Sequence, residues 1–295
     1  MTTEVANMII EKIDRILNDN KFEGINIHYF GGEPLLNIPV LIYLDENIKK
    51  ITDKIGIVYK AFLTTNGSML SKELLQKVKF SSIQLTFDGL EKTHDRLRVS
   101  DHFHFKEEIE LIENIMNFSQ AKVLLRTNIC KENKDEIIAL HKYIFEKFGN
   151  ERIEINPNRT IKYHQDDSFE MLSVQEYAEV AYQIKLLWSE QKGKFELPVP
   201  RSTPCKFPYG NAYAISPEGY CTFCSGSMDQ EKKYFFDVDI ENKKMFSVRK
   251  ECKKCNILPL CLGGCIIQYN LRAGACTYEK YELKNILISY IKHIS

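Results

Sequence analysis

Between residues 4 and 18, Val5, Met8, Ile9, Ile13, Ile16 and Leu17 recur at steps of mostly three or four residues. That period places them on one face and predicts an amphipathic helix. The next apolar stretch, Ile25-Asn26-Ile27-His28-Tyr29-Phe30, alternates instead and reads as a strand closed by Gly31-Gly32. The exchange of periods continues, with helices expected at about 38–54, 71–79, 106–118 and 134–148 and strands at 57–63, 82–87, 122–128 and 152–156. Asn133 and Glu136 stand at capping-box spacing ahead of the last of these helices. Short apolar strands alternating with helices are βα units, so the fold class is α/β with a parallel sheet. Such units build a full or partial barrel whose functional loops follow the strand carboxyl ends.

The pattern then changes. Residues 158–172 read as a loop, after which Ser173-x-x-Glu176 opens a helix with Val174, Tyr177, Ala181, Ile184 and Leu187 on one face. Pro198, Pro200 and Pro204 mark 196–204 as a linker, so the expected domains are 1–195 and 196–295, the second ending in a helix.

Composition narrows the function classes. The 295 residues carry 40 Lys+Arg and 40 Asp+Glu, a net charge of zero, which argues against nucleic acid or an anionic membrane as partner. No apolar run reaches the roughly 18 residues of a membrane span. The start Met1-Thr2-Thr3-Glu4 has no secretory pattern, so the expected location is cytoplasmic.

Eight of the nine cysteines fall between 205 and 276, and only Cys130 lies outside. Without an export signal such clustering points to metal, not to disulfides. The spacings are Cys205-x13-Gly219-x4-Cys224 with Cys221 inside it, then Cys252-x2-Cys255-x5-Cys261-x3-Cys265-x10-Cys276. Eight thiolates supply two four-sulfur sites, and spacing alone leaves zinc and iron–sulfur clusters equally open. Cys130, at a strand end, reads as a small buried hydrophobe.

The first domain carries further motifs: His28-Tyr29-Phe30-Gly31-Gly32-Glu33-Pro34, Leu63-Thr64-Thr65-Asn66-Gly67, Gln84-Leu85-Thr86-Phe87-Asp88-Gly89, His94-Asp95-Arg96-Leu97-Arg98 and Arg126-Thr127-Asn128. In their order and strand-end placement they resemble the GGEP and following barrel-edge motifs of radical AdoMet enzymes. The cysteine spacing resembles the seven-position SPASM pattern of the peptide- and protein-modifying branch of that family.

The resemblance implies a partial (β/α)6 TIM-like barrel binding AdoMet and a catalytic [4Fe–4S] cluster, then a small cysteine-rich SPASM domain with two auxiliary [4Fe–4S] clusters. Cys205, Cys224 and Cys265, with Cys221 as candidate fourth ligand, would hold the first auxiliary cluster. Cys252, Cys255, Cys261 and Cys276 would hold the second. Glu33 would accept hydrogen bonds from the AdoMet ammonium, beside the Gly31-Gly32 backbone and the turn set by Pro34. Thr65, Asn66 and Thr86 could hold ribose hydroxyls or the carboxylate, although Asn66-Gly67 equally suits a plain turn. Arg98, Arg126 and Asn128 complete the carboxylate side, with a surface ion pair as the alternative for Arg98. Asp88 would orient the site or build a turn, and His94 is assigned no role. The implied partners are a peptide or protein substrate, a reductant such as flavodoxin or ferredoxin, and a peptide-recognition partner.

Two features depart from the family. The C-x3-C-x2-C motif that holds the catalytic cluster is absent from the 295 residues. The helix at 4–18 matches the one that follows that motif, so the barrel is expected to lack its first strand. A longer reading frame that encodes the motif upstream is the preferred expectation, and a third cluster depends on it. The alternative is a non-catalytic, peptide-binding accessory protein; a zinc-stabilised interaction module stands third. In sulfatase-maturing relatives an Asp follows the cysteine matching Cys224, whereas Ser225 stands here. Modification of a ribosomally made peptide, by thioether formation, carbon–carbon cross-linking or oxidation, is therefore favoured.

Overall fold

Five parallel strands form one sheet in sequential order: β1 (Gly24–Tyr29), β2 (Val58–Thr64), β3 (Phe80–Thr86), β4 (Lys122–Ile129) and β5 (Ile153–Arg159). The computed structural model describes all residues except 20, 150–151, 163–168, 206–211, 223, 225–232, 239–247, 266–275 and 295. Among the described residues β1 and β5 are the sheet edges. Pro157 sits inside β5, where a missing N–H is tolerated because the strand is at an edge.

The crossovers are helical. They run through α2 (Ile38–Ile55), α3 (Lys72–Lys77), α4 (Glu91–Leu97), α5 (Phe105–Phe118) and α6 (Ile137–Phe148), while α1 (Thr3–Asp19) precedes β1 and α7 (Val174–Lys192) follows β5. In α1, Ile9, Ile13 and Leu17 of the predicted face are buried together with Ala6; Val5 and Ile16 are half-buried, and Met8 is exposed. Asn37 caps α2 and Ser71 caps α3 through side-chain acceptors, and the Ser173–Glu176 capping box is present at α7.

Three expectations are corrected. Asn133 and Glu136 do not cap α6, which starts at Ile137. Glu136 instead accepts the Leu90 N–H at 3.2 Å, and Asn133 is drawn into the strand-end loops described below. The motif around His94 folds as a helix of its own, α4. β5 runs to Arg159, into the stretch read as loop.

Alternation along the strands separates two faces. Tyr29, Leu63, Ile83, Leu85, Val123, Leu125, Ile129 and Ile153 join the helices in one apolar core. The alternate positions are polar on several strands: His28, Thr64, Gln84, Thr86, Arg126, Asn128, Asn156 and Asn158. A barrel filled only by its own side chains would be apolar there. A polar concave face leaves room and hydrogen bonds for something else.

After α7 the stretch 196–204 carries no regular element. A small antiparallel sheet follows, β6 (Ala214–Ile215), β7 (Tyr220–Thr222) and β8 (Lys233–Tyr234). Its first hairpin reaches the barrel, where Gly219, Phe235 and the α1 residues Val5, Met8 and Ile9 enclose a small apolar gap. The C-terminal helix Glu279–Ile294 is tied to α7 by Lys185 Nζ–Glu282 Oε1 at 2.6 Å and Tyr182–Ser289 hydroxyls at 2.6 Å. No helix among the described residues is long and apolar enough to cross a membrane.

Candidate functional site

The loops after β1 and β2 are joined by one carboxylate. Glu33, half-buried, accepts the Leu35 N–H at 3.0 Å and the Thr65 hydroxyl at 2.7 Å on Oε1, and the Asn66 N–H at 2.7 Å on Oε2. Pro34 opens the 3-10 turn Pro34–Asn37 that Glu33 caps. Thr65 in turn accepts the Gly67 N–H at 3.0 Å, and Asn66 Oδ1 accepts the Ser68 N–H and hydroxyl at 2.9 and 2.8 Å. Asn66 thus builds an Asx turn with its side chain while its backbone is held by Glu33. Gly31 has φ +146°, open in practice to glycine alone. A side chain at Gly31 or Gly32 would meet nothing within 4 Å, so open space stands over this loop.

The loops after β3 and β4 are joined by a second carboxylate. Asp88, nearly buried, accepts Arg98 Nε on Oδ2 at 2.9 Å and the Asn128 N–H on Oδ1 at 3.1 Å. Its own N–H donates to His94 Nδ1 at 3.3 Å and its carbonyl accepts Asn133 Nδ2 at 2.8 Å. Arg98 therefore makes a partly buried ion pair, its own side chain 31% exposed and that of Asp88 12%. His94 is a satisfied structural histidine: accepting at Nδ1 leaves its proton on Nε2, 3.2 Å from Glu108 Oε2. Burial raises the pKa of Glu108, the partner beneath it. Arg126 Nε donates to Asn128 Oδ1 at 2.9 Å, and Thr86 lies beside Arg126 in register.

Gly31, Gly32, Glu33, Pro34, Thr65, Asn66, Thr86, Asp88, Arg126 and Asn128 lie at or just beyond the carboxyl ends of the strands, and Arg98, which follows α4, reaches back to them through Asp88. Three neighbours were not singled out from sequence. Asn156 donates to Gln84 Oε1 at 3.0 Å, and Asn158 donates to the Asn156 side-chain oxygen at 2.9 Å. The available signal was strand alternation, which puts these amides on the same face as Arg126. Cys130 is buried just beyond β4, and burial raises its thiol pKa.

Four of the eight clustered cysteines come together around one cavity. Cys252, Cys255, Cys261 and Cys276 line this small cavity, open in part to solvent, together with Arg249, Ile257, Leu258, Gly263, Thr277 and Lys280. Cys265 is not among its lining residues. Leu262, Gly263 and Gly264 are all left-handed, at φ 47, 87 and 69°, and this turn separates Cys261 from Cys265. Leu262 pays for the conformation, since a branched side chain rarely adopts it. Among the described residues no three His, Cys, Asp or Glu side chains close on a single metal ion. Four sulfurs lining one cavity are a soft donor set suited to a tetrahedral zinc or to a cubane of four irons.

Cys221 lies on β7 in the apolar core, where burial pushes its thiol up to about 11, and Cys205, Cys224 and Cys265 are half-buried. Ser225 lies outside the described residues.

No family model matches the chain. It is 24% identical over 319 residues to the radical SAM cyclopropyl synthase TigE of Paramaledivibacter caminithermalis, a match covering 97% of this chain and 65% of that protein. The chain thus spans a little under two thirds of that curated relative. Its fold matches native anSMEcpe with bound AdoMet over 100% of this chain and 91% of that one, with a TM-score of 0.71 and 17% identity. It also matches Streptococcus suis SuiB bound to S-adenosylmethionine over 88% and 66%, with a TM-score of 0.57 and 17% identity. In sequence this chain is similar to a radical SAM enzyme, and in fold to two proteins that bind AdoMet.

Proposed function

We propose that this chain belongs to a radical AdoMet/SPASM iron–sulfur oxidoreductase acting on a ribosomally made peptide or protein, the 295 residues themselves lacking the C-x3-C-x2-C motif of the catalytic cluster. The chemistry supplied by AdoMet and the clusters in this reading is hydrogen-atom abstraction from a peptide position followed by removal of one electron. The protein's part is to bind, orient and shield. Glu33 and the Asn66 turn offer a carboxylate and a hydroxyl-rich edge to the AdoMet ammonium and ribose. Arg126 and Arg98 offer guanidinium groups to its carboxylate. The amides of Gln84, Asn156 and Asn158 are suited to the peptide groups of a substrate on the concave face. A structure of anSMEcpe holds both AdoMet and the Kp18Cys peptide, which supports a peptide substrate for this fold relative too.

In the second unit, Cys252, Cys255, Cys261 and Cys276 would hold one auxiliary cluster. Cys205, Cys224 and Cys265, with Cys221 as fourth ligand, would hold the other. Binding iron would have to drive the proton from the buried Cys221 thiol, as metals do. The single observation carrying the reading is that the four cysteines of the second set line one cavity. The test is electron paramagnetic resonance of anaerobically reconstituted, dithionite-reduced protein. Two cluster signals are expected, of which Cys252→Ala removes one. Absence of any cluster signal in the parent protein would overturn the proposal.

A further inference from the structure

Three of the four sulfurs around the second cavity accept an N–H donor in the described residues. The Arg249 guanidinium lies 3.6 Å from Cys252 Sγ, the Gly263 N–H 3.4 Å from Cys261 Sγ, and Lys280 Nζ 3.8 Å from Cys276 Sγ. Two of these donors carry a full positive charge. Neither is placed by chance of a long side chain alone. Arg249 Nη2 also donates to the Gly263 carbonyl at 2.8 Å, across the left-handed turn that follows Cys261. Lys280 sits in the first turn of the C-terminal helix, flanked by two anchored acids. Glu279 is held by Arg201 at 2.7 Å and Glu282 by Lys185 at 2.6 Å.

The acids nearby weaken this field without cancelling it. Glu251 lies 3.3 Å from Arg249 Nε but is largely exposed, and Glu279 is engaged by Arg201. Water screens an exposed charge more than a buried one, so Arg249, 25% exposed, keeps more of its field than Lys280, which is exposed and acts through its direct contact with Cys276 Sγ.

We infer that Arg249 and Lys280 are positioning and tuning residues for the second auxiliary cluster, raising its reduction potential above that of an otherwise equal site without them. The inference rests on the cluster reading of the four cysteines. The reasoning is electrostatic. One-electron reduction adds one negative charge to the cluster and its thiolates. A cation or an N–H donor touching a sulfur favours the more negative state, so the electron is easier to add. A site with this bias suits an electron acceptor for a substrate-derived radical, since taking up the electron reduces the cluster and oxidises the substrate by one unit.

The test is an anaerobic redox titration of the reconstituted protein, following the signal that Cys252→Ala abolishes. Lys280→Gln removes the charge and is expected to move that midpoint to a more negative potential, leaving the other cluster's midpoint in place. Arg249→Gln should do the same. Lys280→Arg and Arg249→Lys keep the charge and should stay close to the parent. An unchanged midpoint in Lys280→Gln at full iron content overturns the inference, and so does a negative shift of equal size in the charge-keeping variants. If Lys280→Gln assembles no second cluster, the two charge-keeping variants decide by the same criterion. A parent protein that takes up no cluster at all would instead overturn the proposed function, a distinct result.

Discussion

The Glu33 carboxylate reaches from the loop after β1 to the Asn66 backbone N–H beyond β2, at 2.7 Å, while its other oxygen holds the Thr65 hydroxyl. Two adjacent strand ends are thereby fixed to one another by a single side chain. Oε1 already takes two donors, whereas Oε2 takes one and retains a lone pair for another. A ligand ammonium placed there would find a carboxylate whose position is already set.

Glu33→Gln keeps the shape and one acceptor oxygen but sets an amide NH2 where an acceptor is needed. We expect a loss of about 1–3 kcal/mol in stability, read as a lower urea midpoint. AdoMet binding by calorimetry should weaken as well. A variant with parental stability and parental AdoMet affinity would refute both roles.

The Asp88–Arg98 pair should behave as a partly buried link, not a surface ion pair. Asp88→Asn retains an acceptor for the Asn128 N–H and loses the charge facing Arg98. A cost of about 1–2 kcal/mol is expected, and it should be nearly absent when Arg98→Met is already present. Additive effects in the double-mutant cycle would show that the two side chains do not act together.

His141 sets an acid limit on stability. It is fully buried, accepts the Trp188 indole N–H at Nδ1 and lies 3.1 Å from the Thr127 hydroxyl through Nε2. Burial lowers its pKa from 6.5 to about 3. Between those values the unfolded chain binds the extra proton and the folded chain does not. Stability is therefore full above pH 6.5 and falls toward pH 3, by at most roughly 1.4 kcal/mol per unit. Parent protein should lose more stability between pH 7 and pH 5 than His141→Gln does. Equal losses would remove His141 from the account.

This 295-residue chain should not cleave AdoMet reductively on its own, because none of its cysteines stand in C-x3-C-x2-C spacing. The check is 5′-deoxyadenosine release with dithionite, followed by chromatography. Multiple turnovers by this polypeptide would contradict the assignment of its eight clustered cysteines to auxiliary sites.

The alternation of strands and helices was readable because each βα unit buries one apolar face, and a burial period survives in any sequence that folds this way. The clustering of eight cysteines between 205 and 276 was readable from the sequence itself, whereas their division into two sets came from the family resemblance. Asn133 was misread because its side chain satisfies the Asp88 and Asn128 carbonyls, partners 45 and 5 residues away in the chain. Local spacing sees a cap and cannot see that competitor. Gln84 and Asn156 went unnoticed for the same reason, since 72 residues separate the two ends of their hydrogen bond. The α4 helix has no side-chain cap and is only 7 residues long, too short for periodicity to declare it.

The central claim is that residues 205–276 hold two iron–sulfur clusters, and elemental analysis tests it most directly. Anaerobically reconstituted protein should contain on the order of eight irons and eight acid-labile sulfides per chain. Stoichiometric zinc without acid-labile sulfide would contradict it.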